Sequence, residues 1–91
     1  MAICWVIDAA GVTREQYERM VGLALPDGRW PEGQLDHIAG PFESGWRVVD
    51  VFESQEAFDR FFETQLGPAL RAADYPDVQV TQFPVHKMKL P

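Results

Sequence analysis

The chain has 91 residues, 46% of them hydrophobic, with 14 acidic against 8 basic side chains for a formal charge of −6. That length makes one domain, 1–91, with a modest core, and the negative balance works against a phosphate backbone, so no nucleic-acid partner is expected. Cys4 is the single cysteine, which excludes an internal disulfide and a thiolate zinc site, and with no apolar run of about 18 residues and no export-type leader a cytoplasmic protein without a membrane segment is expected.

Ala2–Asp8 alternates Ala2, Cys4 and Val6 with Ile3, Trp5 and Ile7. A run that is apolar on both sides predicts a strand covered on both faces, with Cys4 as a small buried hydrophobe. Thr13 and Gln16 have capping-box spacing, which starts a helix at Arg14. Tyr17, Met20, Val21 and Ala24 form its apolar stripe, and Pro26 ends it. Leu25–Gly33 (LPDGRWPEG) is a loop by its prolines and glycines. Within it, Trp30 either caps an open end of the core or closes a ligand pocket and offers its indole N–H as a donor.

Gln34–Ala39 and Trp46–Phe52 read as two antiparallel strands. A four-residue turn, Pro41–Ser44, sets Ala39 against Trp46, His37 against Val48 and Leu35 against Asp50. Alternation then gathers Leu35, His37, Ala39, Trp46, Val48, Asp50 and Phe52 on one face, with Asp36, Ile38, Arg47, Val49 and Val51 on the other. In that register His37 and Asp50 are diagonal neighbours roughly 7 Å apart, and a bulge would change the parity.

Ser54 is the N-cap candidate for a helix with the stripe Phe58, Phe61, Phe62, Gln65, Ala69, Leu70 and Ala73. Gly67-Pro68 predicts a kink or a second short helix from Pro68. Asp74–Asp77 is a turn, Val78–Phe83 a last strand, and the tail Val85–Pro91 either adds an edge segment or reaches a second subunit. Strand, helix, strand, strand, helix, strand is the ferredoxin-like α+β order β-α-β-β-α-β, an antiparallel sheet with both helices on one face. The other face needs cover, which a homodimer would supply.

His37 is the leading catalytic candidate. An imidazole titrates near neutral pH, and Asp50 beside it would orient it and make it more basic, which suits taking a proton from an activated carbon or a phenol. The alternative is a core histidine satisfied by a neighbour. Asp50, between Val49 and Val51, must find hydrogen bonds, from His37 or else from Arg47, Arg29 or a backbone group. Arg47 on the other face reads as an ion-pair partner or a cover for a helix, and His86 beside Lys87 and Lys89 as a solvated tail. Tyr17, Trp30, Trp46 and Phe52 are the ligand-binding candidates, each of which could equally serve packing alone.

The segment Gly45–Phe62 (GWRVVDVFESQEAFDRFF), followed by Leu66–Leu70 (LGPAL), resembles the small proteins of the dimeric α/β-barrel superfamily, in the antibiotic biosynthesis monooxygenase-like branch. The run of aromatic, acidic residue, Ser, two variable residues and Ala-Phe falls on Phe52–Phe58, and the resemblance covers nearly the whole chain. It implies a homodimeric α/β barrel with a cavity for a hydrophobic, aromatic or polyketide-like small molecule. The activity implied is that of a cofactor-independent monooxygenase; a polyketide cyclase or isomerase, or a non-catalytic binding or structural dimer, are the alternatives on the same fold. Haem-handling relatives usually take their iron ligand from helical positions, whereas His37 sits in a strand and His86 in the tail, so no haem is expected. Two histidines without a carboxylate–histidine motif give no metal site either. Oxygenases of this kind tend to place Asn and Trp near the substrate; the chain has no asparagine, so that constellation is not carried over. The expectation is a cofactor-independent enzyme working by His-assisted proton transfer.

Overall fold

Thr13 and Ser54 both cap helices. The Thr13 hydroxyl accepts the Gln16 N–H at 3.1 Å and starts α1 (Arg14–Ala24); the Ser54 hydroxyl accepts the Ala57 N–H at 3.1 Å and starts α2 (Gln55–Phe61). In the computed structural model, which describes residues 1–89, these helices pack on one face of a four-stranded antiparallel sheet. Its strands are β1 (Ile3–Ala10), β2 (Gln34–Phe42), β3 (Gly45–Phe52) and β4 (Gln79–Pro84), in the order β2-β3-β1-β4. The ferredoxin-like α+β order is therefore as expected.

Closure into a dimeric α/β barrel is not. The sheet is open, with β2 and β4 as its two edges and no pairing between them. Closing a sheet needs enough tilted strands to curl it fully round, and four are too few. Both edges also carry a proline, Pro41 in β2 and Pro84 in β4, which removes a ladder donor from each. Beyond β4, the Val85 N–H donates to the Ala2 carbonyl at 2.8 Å. Leu90 and Pro91 of the expected tail element lie outside the described residues.

The second helical stretch does not break at Gly67-Pro68. From α2 it passes through a π-helical turn (Phe62–Leu66) into α3 (Gly67–Ala72), with the Gly67 N–H reaching back to the Phe62 carbonyl. Proline has no N–H to give, and the wider turn carries the chain up to Pro68 without a break. The expected kink is thus absorbed upstream, while the alternative, a second short helix, is met by α3, which begins one residue before Pro68.

Between sheet and helices, Trp5 and Phe52 are the largest fully buried side chains. Trp5 stacks on Phe58 at 4.1 Å between ring centroids and meets Phe52 edge-on at 5.9 Å. Tyr17, Met20 and Ala24 from α1, with Phe61, Leu66 and Ala69 from the second helical stretch, close over them. Each large apolar side chain buried in this layer contributes on the order of 1.5–3 kcal/mol. The Gln65 amide donates to the Ala24 carbonyl at 2.9 Å, which satisfies a carbonyl at the end of α1 and ties the helices together.

The outer sheet face leaves Ile38, Phe83 and Phe42 exposed at 59%, 49% and 37%. Arg47 lies there in the ion pair expected of it, with its cross-strand partner Asp8 at 2.7 and 2.9 Å, and its guanidinium covers the Phe42 ring at 3.7 Å. That bidentate pair holds the Asp8 carboxyl below its ordinary range. Cys4 is buried as expected, and burial, then the Asp50 charge, pushes its thiol pKa up. Among the described residues no helix is long and apolar enough to cross a membrane.

Candidate active site

The β2–β3 hairpin places the polar residues, and its register differs from the expected one. Phe42 pairs with Gly45 around a two-residue turn, Glu43-Ser44, with Glu43 in the left-handed region at φ 55°. The pairs are therefore Pro41 with Trp46, Ala39 with Val48 and His37 with Asp50. A shift by two residues keeps each side chain on its expected face, so His37 and Asp50 become direct partners instead of diagonal neighbours.

A bulge does occur, between Gln34 and Asp36, upstream of the histidine. It leaves the His37–Asp50 pairing intact and exchanges two residues: Gln34 turns inward and Leu35, expected inside, is 47% exposed. Gly33 fixes this start of β2. Its φ of 89° is left-handed, a Cβ there would lie 2.7 Å from the Ala57 Cβ, and its carbonyl accepts the Glu53 N–H at 2.8 Å.

Four side chains form one chain of hydrogen bonds. His37 Nδ1 lies 2.5 Å from Asp50 Oδ1, Gln34 Nε2 donates to the same oxygen at 2.8 Å, and the Tyr17 hydroxyl lies 2.6 Å from His37 Nε2. A carboxylate only accepts, so a neutral imidazole donates from Nδ1 and presents the Nε2 lone pair to the Tyr17 O–H. Asp50 is 4% exposed, and these donors replace the water it lacks. Burial, then the charges of Glu18 and Asp50, pushes the Tyr17 phenol up to about 12, so it stays a donor. Asp36 Oδ1 accepts the His37 backbone N–H at 2.9 Å.

This network borders an apolar cavity of about 250 Å³ whose lining includes Trp5, Trp46, Phe58, Phe61, Leu66 and Tyr75. Gln34, His37 and Asp50 bring polar groups to it. Trp30, 55% exposed, lies at the rim with its ring 4.8 Å from that of His37. Of the six residues expected at a site, His37, Asp50, Trp30 and Trp46 line this space. Tyr17 stands behind His37, and Phe52 lies fully buried in the core. Neither Arg47 nor Arg29 pairs with Asp50, since Asp8 engages the first and Asp27 the second at 3.0 Å.

Gln34 and Tyr75 join the site without having been singled out in the sequence. Gln34 was concealed by the bulge, with Gly33 before it as the one available signal. Tyr75 sits in the Asp74–Asp77 turn, where Asp74 at φ 52° directs the chain back toward the core; burial, then Tyr17, pushes its phenol up to about 12. Among the described residues no three His, Cys, Asp or Glu side chains converge as a metal site would require.

No family model matches the chain, and no curated protein does. Solved structures do. The cofactor-independent oxygenase SnoaB of Streptomyces nogalater superposes with a TM-score of 0.69 at 14% identity, over 96% of this chain and 95% of that one. A Nitrosomonas europaea protein of unknown function gives 0.69 at 20% identity over 99% and 93%, and a Mycobacterium tuberculosis protein 0.72 at 14% over 98% and 100%. The chain has the fold of the antibiotic biosynthesis monooxygenase-like proteins. At these identities the likeness concerns that fold alone, and the monooxygenase-like fold supports more than one chemistry.

Proposed function

We propose that the chain is a small cofactor-independent enzyme of the monooxygenase-like type, in which His37 takes a proton from an aromatic or polyketide-like molecule held in the cavity. The observation that carries this reading is an imidazole beside an aromatic cavity, with Nδ1 on a buried carboxylate and the Nε2 lone pair turned to a hydroxyl. A substrate O–H or acidic C–H displaces the Tyr17 hydroxyl from Nε2. The imidazole accepts its proton there, Asp50 stabilises the imidazolium, and the freed Tyr17 O–H donates to the substrate's developing oxygen anion. Trp30 and Trp46 shape the binding space, and Phe52 supports it from behind.

In an oxygenase the resulting carbanion meets dioxygen, a CH₂ carbon becomes C=O, and the second oxygen atom leaves as water. The likeness to a structure described as a cofactor-independent oxygenase supports this outcome. A cyclase or isomerase would use the same proton step without dioxygen. One observation favours a non-catalytic binding protein: both ring nitrogens of His37 already have partners within the chain. Under either reading we propose a homodimer, in which a second copy covers the outer-face residues Ile38, Phe42 and Phe83.

Oxygen uptake with a panel of phenols and quinols tests the catalytic reading. His37→Ala is expected to lower the rate by about 10²–10⁴ with any compound turned over. Equal rates for the variant and the unaltered protein would overturn it.

A further inference from the structure

A second recess, of about 310 Å³, opens beside the cavity and is lined by Trp30, Gln34, Leu35, Asp36 and His37. Three of these residues, Trp30, Gln34 and His37, line both spaces. The recess and the cavity therefore share a wall at these residues, where the exposed Trp30 indole lies 4.8 Å from the His37 ring.

The two compartments differ in chemistry. The inner one is walled by apolar side chains, with the rings of Trp5, Trp46, Phe58, Phe61 and Tyr75 set among aliphatic residues. The outer one adds a carboxylate, Asp36, of which one oxygen accepts the His37 N–H; a carboxylate has lone pairs for further donors. Neither lining contains a lysine or an arginine, while Asp50 lines the cavity and Asp36 the recess. Arg29, next to Trp30, is held by Asp27.

We propose that the two spaces form one bipartite site for an electrically neutral molecule, with a flat apolar ring system in the inner cavity and a hydrogen-bond donor reaching past Trp30 to Asp36. Carboxylates and phosphates are rejected, because an anion there would lose water without gaining a cation and would lie beside two acidic side chains. This narrows the ligand class of the cavity proposed above and rests on that reading only for the cavity being a ligand site.

Binding is measured without turnover, by quenching of tryptophan fluorescence, with three probes of similar size: naphthylmethanol, its methyl ether and naphthoate. The alcohol is expected to bind most tightly, the ether less, and naphthoate about tenfold or more below the alcohol. Asp36→Asn removes a charge from an exposed residue and keeps an acceptor for the His37 N–H, so the fold is retained; it should narrow the gap between alcohol and naphthoate. Naphthoate binding as tightly as the alcohol, a gap unchanged by Asp36→Asn, or no binding of any probe would each overturn the proposal. The oxygen-uptake test can fail while this order holds, and the order can fail while His37 still governs turnover.

Discussion

His37 Nδ1 and Asp50 Oδ1 meet at 2.5 Å across the β2–β3 pair, and the same carboxylate oxygen takes the Gln34 amide at 2.8 Å. A side chain only 4% exposed therefore satisfies two donors at once. Asp50→Ala leaves both donors without that acceptor and is expected to cost about 2–4 kcal/mol. Asp50→Asn keeps one acceptor oxygen, with an expected loss of about 1–2 kcal/mol. Urea unfolding of the two variants measures the difference, and equal losses would place the stabilisation in the charge rather than in the acceptor oxygen.

Both tyrosines of the chain have phenols pushed up to about 12 from an ordinary 10.0, in each case chiefly by burial. Below pH 10 folded and unfolded chains both keep these protons, and the stabilisation is complete. From there to about pH 12 the unfolded chain releases protons that the folded chain retains, so stability falls as the pH rises. Phenolate absorbance should show no step near pH 10 while the protein is folded, and a single step near 12 or at alkaline unfolding. A normal step near pH 10 would show that at least one phenol is solvated in the folded protein.

Two glycines should respond in opposite directions to alanine. A Cβ on Gly45 would lie 2.1 Å from the Ala9 carbonyl oxygen, where the end of β1 approaches the hairpin turn, so Gly45→Ala forces backbone apart and is expected to cost about 3 kcal/mol. A Cβ on Gly22, inside α1, meets nothing within 4 Å, and Gly22→Ala should stabilise by about 0.5–1 kcal/mol. Midpoints of chemical unfolding check both. A neutral Gly45→Ala would mean that β1 and the turn can separate without loss.

The sequence made the element order legible because the cues were local. Thr13 and Ser54 are short side chains at helix starts, and Trp5, Ile7, Val48 and Val51 sit in strands whose short apolar runs are plain. The site depended on longer-range details. The hairpin turns at Glu43-Ser44, where Glu43 adopts a left-handed conformation that nothing in its residue type announces, so Gly40 and Gly45 suggested a wider loop. That error spared the His37–Asp50 pair because the shift was an even number of residues. The bulge at Leu35 was not so forgiving: it brought Gln34 to the carboxylate, and an apolar residue beside a polar one gives no hint that the polar one turns inward.

The π turn at Phe62–Leu66 puts one surplus residue into a helical stretch that otherwise advances by about 100° per residue. Phe58, Phe61 and Phe62 stand on one side of that surplus and Leu66 and Leu70 on the other, and all five border the cavity. Their common aim is thus a matter of angular phase. Shortening the stretch by a single residue would leave every aromatic side chain in place in the sequence yet swing one half of the wall away from the other. The number of residues between Phe58 and Leu70 shapes the cavity as much as their identity does.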